Sequence, residues 1–251
     1  MSVVGVIPAR LESSRLPRKL LLAETGWPLI EHTWRAASAA ESLDELIVAT
    51  DSEEIAETVR GFGGRAELTG EHPSGTDRVA EVVERFLGDA ELIVNVQGDE
   101  PELDPAVIDR LVAVIKANPN CPMATVATPI HDREMLADPS CVKVVVTADG
   151  RALYFSRSMI PACRDERPEA VLAGESPWLL HLGIYAYRRE FLLELTRRPP
   201  SRLERLERLE QLRALEAGVE IRLAIVEGQS VGIDTPGDYA RFVARVGLRA
   251  A

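Results

Sequence analysis

An unusually basic loop stands near the start of an otherwise acidic chain. The 251 residues carry a formal net charge of −11, yet four cations fall within ten residues: Arg10, Arg15, Arg18 and Lys19. Guanidinium groups bind phosphate oxygens in bidentate fashion, and a lysine ammonium supplies a point charge. Because the loop has neither the GxxxxGKS/T nor the GxGxxG pattern, side chains more than backbone amides would hold a triphosphate. Composition alone leaves a solvated basic loop as an equal alternative.

Two carboxylates could complement this loop. Asp99 follows Gly98 directly after the apolar run Leu92–Val96, and Asp234 precedes a Thr-Pro pair near the C-terminus. Carboxylate oxygens are suitable ligands for Mg²⁺, and a glycine beside them allows a ligand to approach closely. An aspartate before Thr-Pro is equally typical of a helix N-cap. The two roles of Asp234 are compatible, because a cap uses one carboxylate oxygen and leaves the other.

The segment His72–Arg78 combines small residues with the predicted start of a helix. Ser74 or Thr76 can cap that helix, which is the simpler interpretation. A helix N-terminus behind small residues also lets a ligand reach backbone N–H donors. The sequence shows neither a Cys–His pair nor a Ser–His–Asp arrangement, so covalent catalysis is not indicated.

Alternating strands and helices would position these residues. Short apolar strands alternate with helices of 10 to 15 residues, which predicts βαβ units and a mostly parallel sheet in an α/β fold. In such sheets ligands bind outside the carboxyl ends of the strands, where the loops described above begin. The predicted strands are Val3–Ile7, Leu46–Thr50, Ala66–Leu68, Leu92–Val96 and Met123–Ala127. The predicted helices are Pro28–Ala40, Asp51–Gly61, Thr76–Leu87 and Asp104–Ala117, with a last helix from Asp234.

The pattern changes after residue 140. Val142–Thr147 and Ala152–Phe155 predict a β-hairpin around Ala148-Asp149-Gly150, followed by a long loop at Ile160–Pro177. Further strands are predicted at Leu182–Tyr187 and Ile221–Val226. We predict a helix at Ser201–Ala217, where a leucine at every third position indicates burial on more than one side or, alternatively, a dimer contact. One α/β domain over residues 1–251, with a β-rich lobe at about 140–200, is the simplest organisation.

Composition limits the class of protein. Hydrophobic residues at 46% and charged residues at 27% are ordinary for a globular chain, and the acidic balance argues against a nucleic-acid partner. No apolar stretch approaches the ~20 residues of a membrane helix, and the N-terminal apolar run is too short for a signal peptide. Three widely spaced cysteines without a CxxC pair fit a reducing compartment. We therefore predict a cytoplasmic protein without a membrane partner.

Blocks along nearly the whole chain match one family in order, and the combination of VNVQGDEP with HLGIYAYR is highly specific. The blocks are IPARLESSRLPRK (Ile7–Lys19), TD (Thr50–Asp51), SGTDR (Ser74–Arg78), VNVQGDEP (Val94–Pro101), ALYFSR (Ala152–Arg157), HLGIYAYR (His181–Arg188), LEQLR (Leu209–Arg213) and IDTP (Ile233–Pro236). With these blocks the sequence closely resembles the 3-deoxy-manno-octulosonate cytidylyltransferases, or CMP-Kdo synthetases.

The resemblance implies a Rossmann-like nucleotide-diphospho-sugar transferase fold, a homodimer formed partly through the β-rich lobe, and Mg²⁺ as cofactor. It implies that CTP activates a 2-keto-3-deoxy sugar acid, 3-deoxy-D-manno-octulosonate (Kdo), for lipopolysaccharide biosynthesis. The implied catalytic residues are Lys19, Arg10, Arg15 and Asp99, and the implied metal ligands are Asp99 and Asp234. The nucleotide would be bound by Pro8, Ala9, Arg10, Arg15, Lys19, Ser74, Gly75 and Arg78. The sugar acid would be bound by Gln97, Arg157, His181, Tyr185, Glu210 and Gln211.

The chain departs from the family pattern at four positions. Arg18 and Leu20 stand where the family usually has Gly and Pro, Ala186 replaces a common Gly, and Gly237 replaces a common acid. None is an implied ligand, although Arg18 could alter the phosphate loop. Alternative substrates are an 8-amino variant of Kdo or a sialic acid. A nucleotide-binding regulatory protein without turnover is the alternative from another class.

Without the resemblance, the residues alone favour structural roles for two implied sugar ligands. Arg157 would pair with a surface acid such as Asp165 or Glu166, and His181 would be a half-buried strand residue.

Overall fold

The computed structural model of the chain describes residues 1–174, 176–228 and 232–250. The chain divides into two compact units, Met1–Asp109 with Ser230–Ala251, and Arg110–Gln229. The organisation as one domain with a lobe at about 140–200 stays a prediction, because compactness does not decide whether the two units fold independently.

Strands and helices alternate through most of the described residues. The strands are β1 Val3–Ala9, β2 Glu45–Thr50, β3 Arg65–Leu68, β4 Leu92–Asn95, β5 Met123–Pro129, β6 Lys143–Val146, β7 Ala152–Ser156, β8 Leu179–Arg188 and β9 Ile221–Ile225. The helices are α1 Leu29–Ser38, α2 Glu53–Gly61, α3 Gly75–Phe86, α4 Pro105–Ala117, α5 Arg133–Ala137, α6 Pro168–Leu172, α7 Arg189–Arg197, α8 Arg202–Glu207, α9 Gln211–Glu216 and α10 Pro236–Ala250. A 3₁₀ turn forms at Lys19–Leu21. No helix among the described residues combines the length and apolar character of a membrane-spanning segment.

The first unit contains a parallel sheet in the order β3-β2-β1-β4. All four residues of β4 are buried, as are six of the seven in β1, which explains their continuous valine and isoleucine runs. Serine side chains cap two helices of this unit: Ser52 Oγ accepts from the Ile55 amide at the start of α2, and Ser74 Oγ accepts from the Asp77 amide at the start of α3. The predicted α/β fold with a mostly parallel sheet is thus confirmed.

The second unit has mixed strand pairing. β5 pairs antiparallel with β8 and parallel with β9. The predicted hairpin is present as antiparallel β6 and β7, and Gly150 takes a positive φ of 82° in its turn, as glycine does readily. β6 also pairs with β8, so the hairpin continues the sheet of this unit.

The prediction of one helix at Ser201–Ala217 is wrong. Helix α8 ends at Glu207, and Arg208 takes a left-handed conformation with φ 53° before α9 begins. Such a residue commonly ends a helix, but it is usually Gly or Asn, so arginine gave no signal of a break. The three-residue leucine spacing therefore does not belong to one helix: Leu206 is 70% exposed, whereas Leu209 and Leu212 are buried.

Three short helices lie where the sequence indicated none. The predicted loop Ile160–Pro177 contains α6, which begins with Pro168 at its first position. Asp132 caps α5, and α7 follows β8 directly. Helices this short carry too little periodicity to stand out from the sequence.

Candidate active site

The first unit brings a lysine and two predicted metal ligands together. Lys19 Nζ lies 2.5 Å from Asp99 Oδ2 and 3.1 Å from Asp234 Oδ1, and it donates to the Ile233 carbonyl at 2.9 Å. The Lys19 side chain is only 13% exposed. One ammonium thus bridges two carboxylates that are 135 residues apart in the chain.

Backbone contacts fix these side chains in place. Asp99 follows the end of β4, and its carbonyl accepts from the Ile233 amide at 2.9 Å. Lys19 begins the 3₁₀ turn directly after Arg18, whose φ is 55°. A left-handed residue is normally glycine, which gives a backbone reason for the glycine that the family usually has at this position.

Asp234 is not the N-cap of the last helix. Thr235 holds that position: its Oγ1 accepts from the Asp238 amide at 3.2 Å, and Asp238 Oδ2 accepts from the Thr235 amide at 2.8 Å. This reciprocal pair is a capping box with aspartate as the acid. Asp234 instead directs Oδ1 to Lys19 and Oδ2 to Arg15 Nη2, the latter at 2.8 Å.

The cations of the basic loop differ in their surroundings. Arg15 pairs with Asp234, Arg18 pairs with Glu54 of α2, and Arg10 is exposed. Arg15 therefore joins the cluster around Lys19, whereas Arg18 anchors the loop to a helix. Phosphate binding by this loop stays a prediction.

Two glycines permit close packing around Pro8 at the end of β1. A Cβ on Gly98 would lie 3.1 Å from the Pro8 carbonyl oxygen, and a Cβ on Gly75 would lie 3.2 Å from the Pro8 ring. A side chain at position 98 would therefore crowd the chain's own backbone, which is a packing reason for this glycine beside the close approach of a ligand that the sequence suggested. The buried Ala9 follows in β1, and Ser74 caps α3 as the simpler interpretation predicted.

Arg78 is an internal anchor of the first unit. It is 4% exposed, and its guanidinium contacts Asp51 Oδ2 and Thr69 Oγ1, each at 2.5 Å. These contacts hold α3 against the ends of β2 and β3. A contact between Arg78 and the nucleotide stays a prediction, and it would use the guanidinium N–H groups that these bonds leave over.

The residues around Lys19 fit Mg²⁺ by their chemistry. Mg²⁺ is usually held by one or two carboxylates together with substrate phosphates and water, so a full protein cage is not needed. Asp99 and Asp234 already converge on one cation, the lysine ammonium. Within the described residues no group of three or more His, Cys, Asp or Glu side chains could hold a metal. Two carboxylates with substrate oxygens are the arrangement that this chain offers.

His181 and Tyr185 are neighbours on β8 in the second unit. Their ring centroids are 5.4 Å apart, and the Phe155 ring lies 4.9 Å from His181. His181 Nε2 lies 2.9 Å from Thr125 Oγ1. Desolvation lowers the pKa of His181 to about 3, so its imidazole is neutral near pH 7. Burial, together with the charge of Glu210, raises the pKa of Tyr185 above its ordinary value.

Arg157 has different partners from those the residues alone suggested. Its guanidinium donates to the carbonyls of Glu207, Pro139 and Arg208 at 2.7, 3.0 and 3.4 Å, and its amide donates to the Glu207 carboxylate. The expected pairing with Asp165 or Glu166 is therefore wrong. The carbonyls of Glu207 and Arg208 lie at the C-terminal end of α8, so Arg157 caps that helix.

Lys143 supports the position of Arg157, a role that the sequence did not indicate. It is fully buried, and its ammonium donates to the carbonyls of Asp138, Cys141 and Arg157 at 2.6–2.9 Å. Burial lowers the pKa of Lys143. The available signal was a lysine at the start of an apolar strand, KVVV. Because Lys143 binds the Arg157 carbonyl, it fixes the backbone of the residue whose guanidinium contacts the end of α8.

The remaining predicted sugar ligands differ in burial. Gln211 begins α9 and is 3% exposed, and its Nε2 has no hydrogen-bond partner among the described residues. A buried donor without a partner is costly, so a ligand oxygen there would be favourable. Glu210 precedes it and is half-buried, as is Gln97 after β4 in the first unit.

Comparisons with known proteins agree with these features. A cytidylyltransferase family model matches residues 4–221. The 3-deoxy-manno-octulosonate cytidylyltransferase of Rhodopirellula baltica is 48% identical, over 98% of this chain and 99% of the relative, and that of Geobacter sulfurreducens is 43% identical, over 98% and 100%. A solved structure of CMP:2-keto-3-deoxy-manno-octonic acid synthetase complexed with CTP is 40% identical, with a TM-score of 0.91 over 99% of this chain and 100% of that one.

Proposed function

We propose, since the chain belongs to the 3-deoxy-manno-octulosonate cytidylyltransferase family, that it transfers the cytidylyl group of CTP to 3-deoxy-D-manno-octulosonate. It is a nucleotidyltransferase, and its products are CMP-Kdo and pyrophosphate. The single observation that carries this proposal in the geometry is the convergence of Lys19, Asp99 and Asp234. A lysine beside two carboxylates that could bind a metal suits a reaction in which several negative phosphate charges come together.

The reaction joins the sugar to the α-phosphorus. The anomeric hydroxyl oxygen of the sugar acid forms a bond to the α-phosphorus of CTP, and the bond from that phosphorus to the β-phosphate oxygen breaks. Pyrophosphate leaves with the electron pair, and the hydroxyl proton is lost to solvent. Phosphoryl transfer depends mainly on positioning and electrostatic stabilisation, so a covalent enzyme intermediate is not required.

The chain's own cations would neutralise the phosphates. Lys19 is held near Asp99 and Asp234, and Arg15 lies beside it on Asp234. Exposed Arg10 would bind the outer phosphates. The nucleotide would also contact Pro8, Ala9, Ser74, Gly75 and Arg78.

Asp99 and Asp234 would hold Mg²⁺. Bound there, the ion supplies Lewis-acid neutralisation of phosphate oxygens. Lys19, which contacts both carboxylates, would supply a further positive charge beside the phosphates.

The sugar acid would be bound by Gln97, Arg157, His181, Tyr185, Glu210 and Gln211. The buried Gln211 Nε2 and the neutral His181 ring support this assignment, because both groups can exchange hydrogen bonds with sugar hydroxyls. We further propose a cytoplasmic homodimer that supplies lipopolysaccharide biosynthesis.

A pyrophosphate-release assay tests the function. Purified protein is incubated with CTP, Mg²⁺ and one sugar acid at a time: Kdo, its 8-amino variant, or a sialic acid. We expect the highest kcat/KM with Kdo. Preference for another sugar acid would overturn the substrate assignment, and CTP binding without turnover on any of them would favour the regulatory alternative.

A further inference from the structure

A bulge in the pairing of β5 with β8 gathers three groups around one hydroxyl. Thr125 pairs with Tyr185 and the next residue, Val126, pairs with Leu182, so Gly183 and Ile184 bulge out of the register. As a result Thr125 Oγ1 lies 2.7 Å from the Ile184 carbonyl, 3.3 Å from the Leu182 carbonyl and 2.9 Å from His181 Nε2. The hydroxyl is completely buried.

The proton inventory of this cluster decides the tautomer of the histidine. A threonine hydroxyl has one proton, and a carbonyl oxygen can only accept. The short contact with Ile184 therefore uses the Thr125 proton, and only lone pairs of Oγ1 remain for the imidazole. His181 Nε2 must then carry a hydrogen and donate it to Thr125.

The rest of the environment keeps the ring neutral and fixed. Phe155 contacts it edge-on at an interplanar angle of 74°, and Tyr185 lies on it at 51°. The His181 amide donates to the Val142 carbonyl at 2.8 Å, which holds the backbone as well. The low pKa of His181 agrees with a ring that has no counter-charge. A neutral imidazole with hydrogen on Nε2 has a lone pair on Nδ1.

We infer that Thr125 is a positioning residue, which holds His181 as the Nε2–H tautomer so that Nδ1 accepts a hydrogen bond from a hydroxyl of the sugar acid. This inference rests on the proposed function for its ligand. It also sets a selectivity rule, because an Nδ1 lone pair accepts from a hydroxyl but cannot bind a carboxylate, which is itself an acceptor. Recognition of the acid group must therefore fall to other residues.

Long-range ¹H–¹⁵N correlation spectra of the ligand-free protein test the tautomer directly. The chain has four histidines, and the signal that disappears in a His181→Gln sample is that of His181. We expect a neutral His181 with hydrogen on Nε2 at pH 7. Hydrogen on Nδ1, or an imidazolium, would overturn the inference whatever the enzyme's substrate proves to be.

Kinetics with Thr125→Val then test the consequence for the sugar. We expect the sugar KM to rise about fivefold, the effect of one neutral hydrogen bond, while CTP affinity measured without sugar is unchanged. Thr125→Ser should restore both the tautomer signal and the KM. Thr128→Val is the matched control, since it makes the same change at a buried position in β5.

The outcomes separate the inference from the proposed function. An unchanged tautomer and an unchanged sugar KM in Thr125→Val would overturn the positioning role. Wild-type protein that releases no pyrophosphate with Kdo would contradict the proposed function, while the spectrum would still decide the tautomer. If Thr125→Val does not fold, the wild-type spectrum and the loss of affinity for sugar analogues lacking single hydroxyls decide the question: no such loss would overturn the acceptor role.

Discussion

The Lys19 ammonium lies 2.5 Å from the Asp99 carboxylate and 3.1 Å from that of Asp234, the two residues proposed to hold Mg²⁺. Both cations would use the same carboxylates, so we expect the lysine and the proposed metal to compete for them. If the ion pair must break before Mg²⁺ binds, the metal affinity should depend on this lysine.

Removal of either carboxylate charge should abolish most activity without unfolding the protein. Asp99→Asn and Asp234→Asn each weaken a proposed ligand for Mg²⁺, and metals stabilise developing charge by several kcal/mol, so we expect kcat/KM to fall at least ~10²-fold. Pyrophosphate release measures the loss, and the melting temperature checks folding. Asp89→Asn is the control, because Asp89 is an exposed acid in a turn of the same unit. Near-normal activity of Asp99→Asn at low Mg²⁺ would contradict the metal assignment.

Neutralisation of Lys19 should strengthen metal binding while it weakens catalysis. In Lys19→Met the carboxylates lose their internal cation, and the Coulomb repulsion on an entering ion disappears, so we expect Mn²⁺ affinity without nucleotide to rise at least ~10-fold. Electron paramagnetic resonance of free Mn²⁺ measures it. The same variant should lower kcat more than it raises the CTP KM. Lys116→Met, at an exposed lysine, should change neither quantity, and unchanged Mn²⁺ affinity in Lys19→Met would rule out the competition.

The conformation of Arg18 should make glycine more stabilising than alanine at this position. Both substitutions remove the exposed ion pair with Glu54, but only glycine relieves a φ of 55°. We expect Arg18→Gly to unfold with a free energy about 0.5–1 kcal/mol higher than Arg18→Ala, measured in urea. Within α1, Arg35→Gly should be less stable than Arg35→Ala by a similar amount. The same sign at both positions would show that Arg18 is not strained.

Sequence patterns predicted most of the fold because its signals are local. Apolar runs marked β1 and β4, and short polar residues marked the starts of α2 and α3, where Ser52 and Ser74 are the caps. The break at Arg208 could not be predicted, because arginine does not indicate a left-handed backbone. It follows from long-range bonds, since Arg157 holds carbonyls about 50 residues away.

The site was predictable to a similar extent. Strand ends and family blocks together brought Lys19, Asp99 and Asp234 into one cluster. The roles of Lys143 and Thr125 were not predictable, because their partners are mainly backbone carbonyls, which every residue possesses.

The ion pair between Glu204 and Arg213 should dominate the stability of the α8–α9 region. Their side chains are 9% and 13% exposed and make two hydrogen bonds, at 2.8 and 2.5 Å. Breaking a buried pair leaves an uncompensated charge, so Glu204→Gln should lower the free energy of unfolding by about 3 kcal/mol. Glu194→Gln removes the more exposed pair with Arg198 and should cost less than ~1 kcal/mol.

The cost of Glu204→Gln should also depend on pH. Burial raises the pKa of Glu204, but the bonds from Arg213 and from the Ser201 backbone outweigh it and leave the pKa lowered. A lowered folded pKa stabilises above the unfolded value, about 4.3, and this contribution is lost as the pH falls through the folded value. Urea unfolding of the wild type and of Glu204→Gln should therefore show a difference in the free energy of unfolding that shrinks below about pH 4. A difference that is constant down to pH 3 would contradict the ionic origin.

Arg157 and Arg188 provide a matched test of the sugar site, because both arginines donate to three backbone carbonyls of the second unit. Arg188 bonds the carbonyls of Cys121, Ile115 and Asn118, so loss of either guanidinium should lower the free energy of unfolding by about 2 kcal/mol. Only Arg157 is a proposed ligand of the sugar acid, and two of its five N–H donors remain for a carboxylate. Well below the melting temperature, Arg157→Ala should raise the sugar KM at least ~10-fold and leave CTP affinity near wild type, whereas Arg188→Ala should change neither. Equal KM values in the two variants would assign Arg157 a structural role alone, and His181→Ala would then be the remaining test of this site by the same assay.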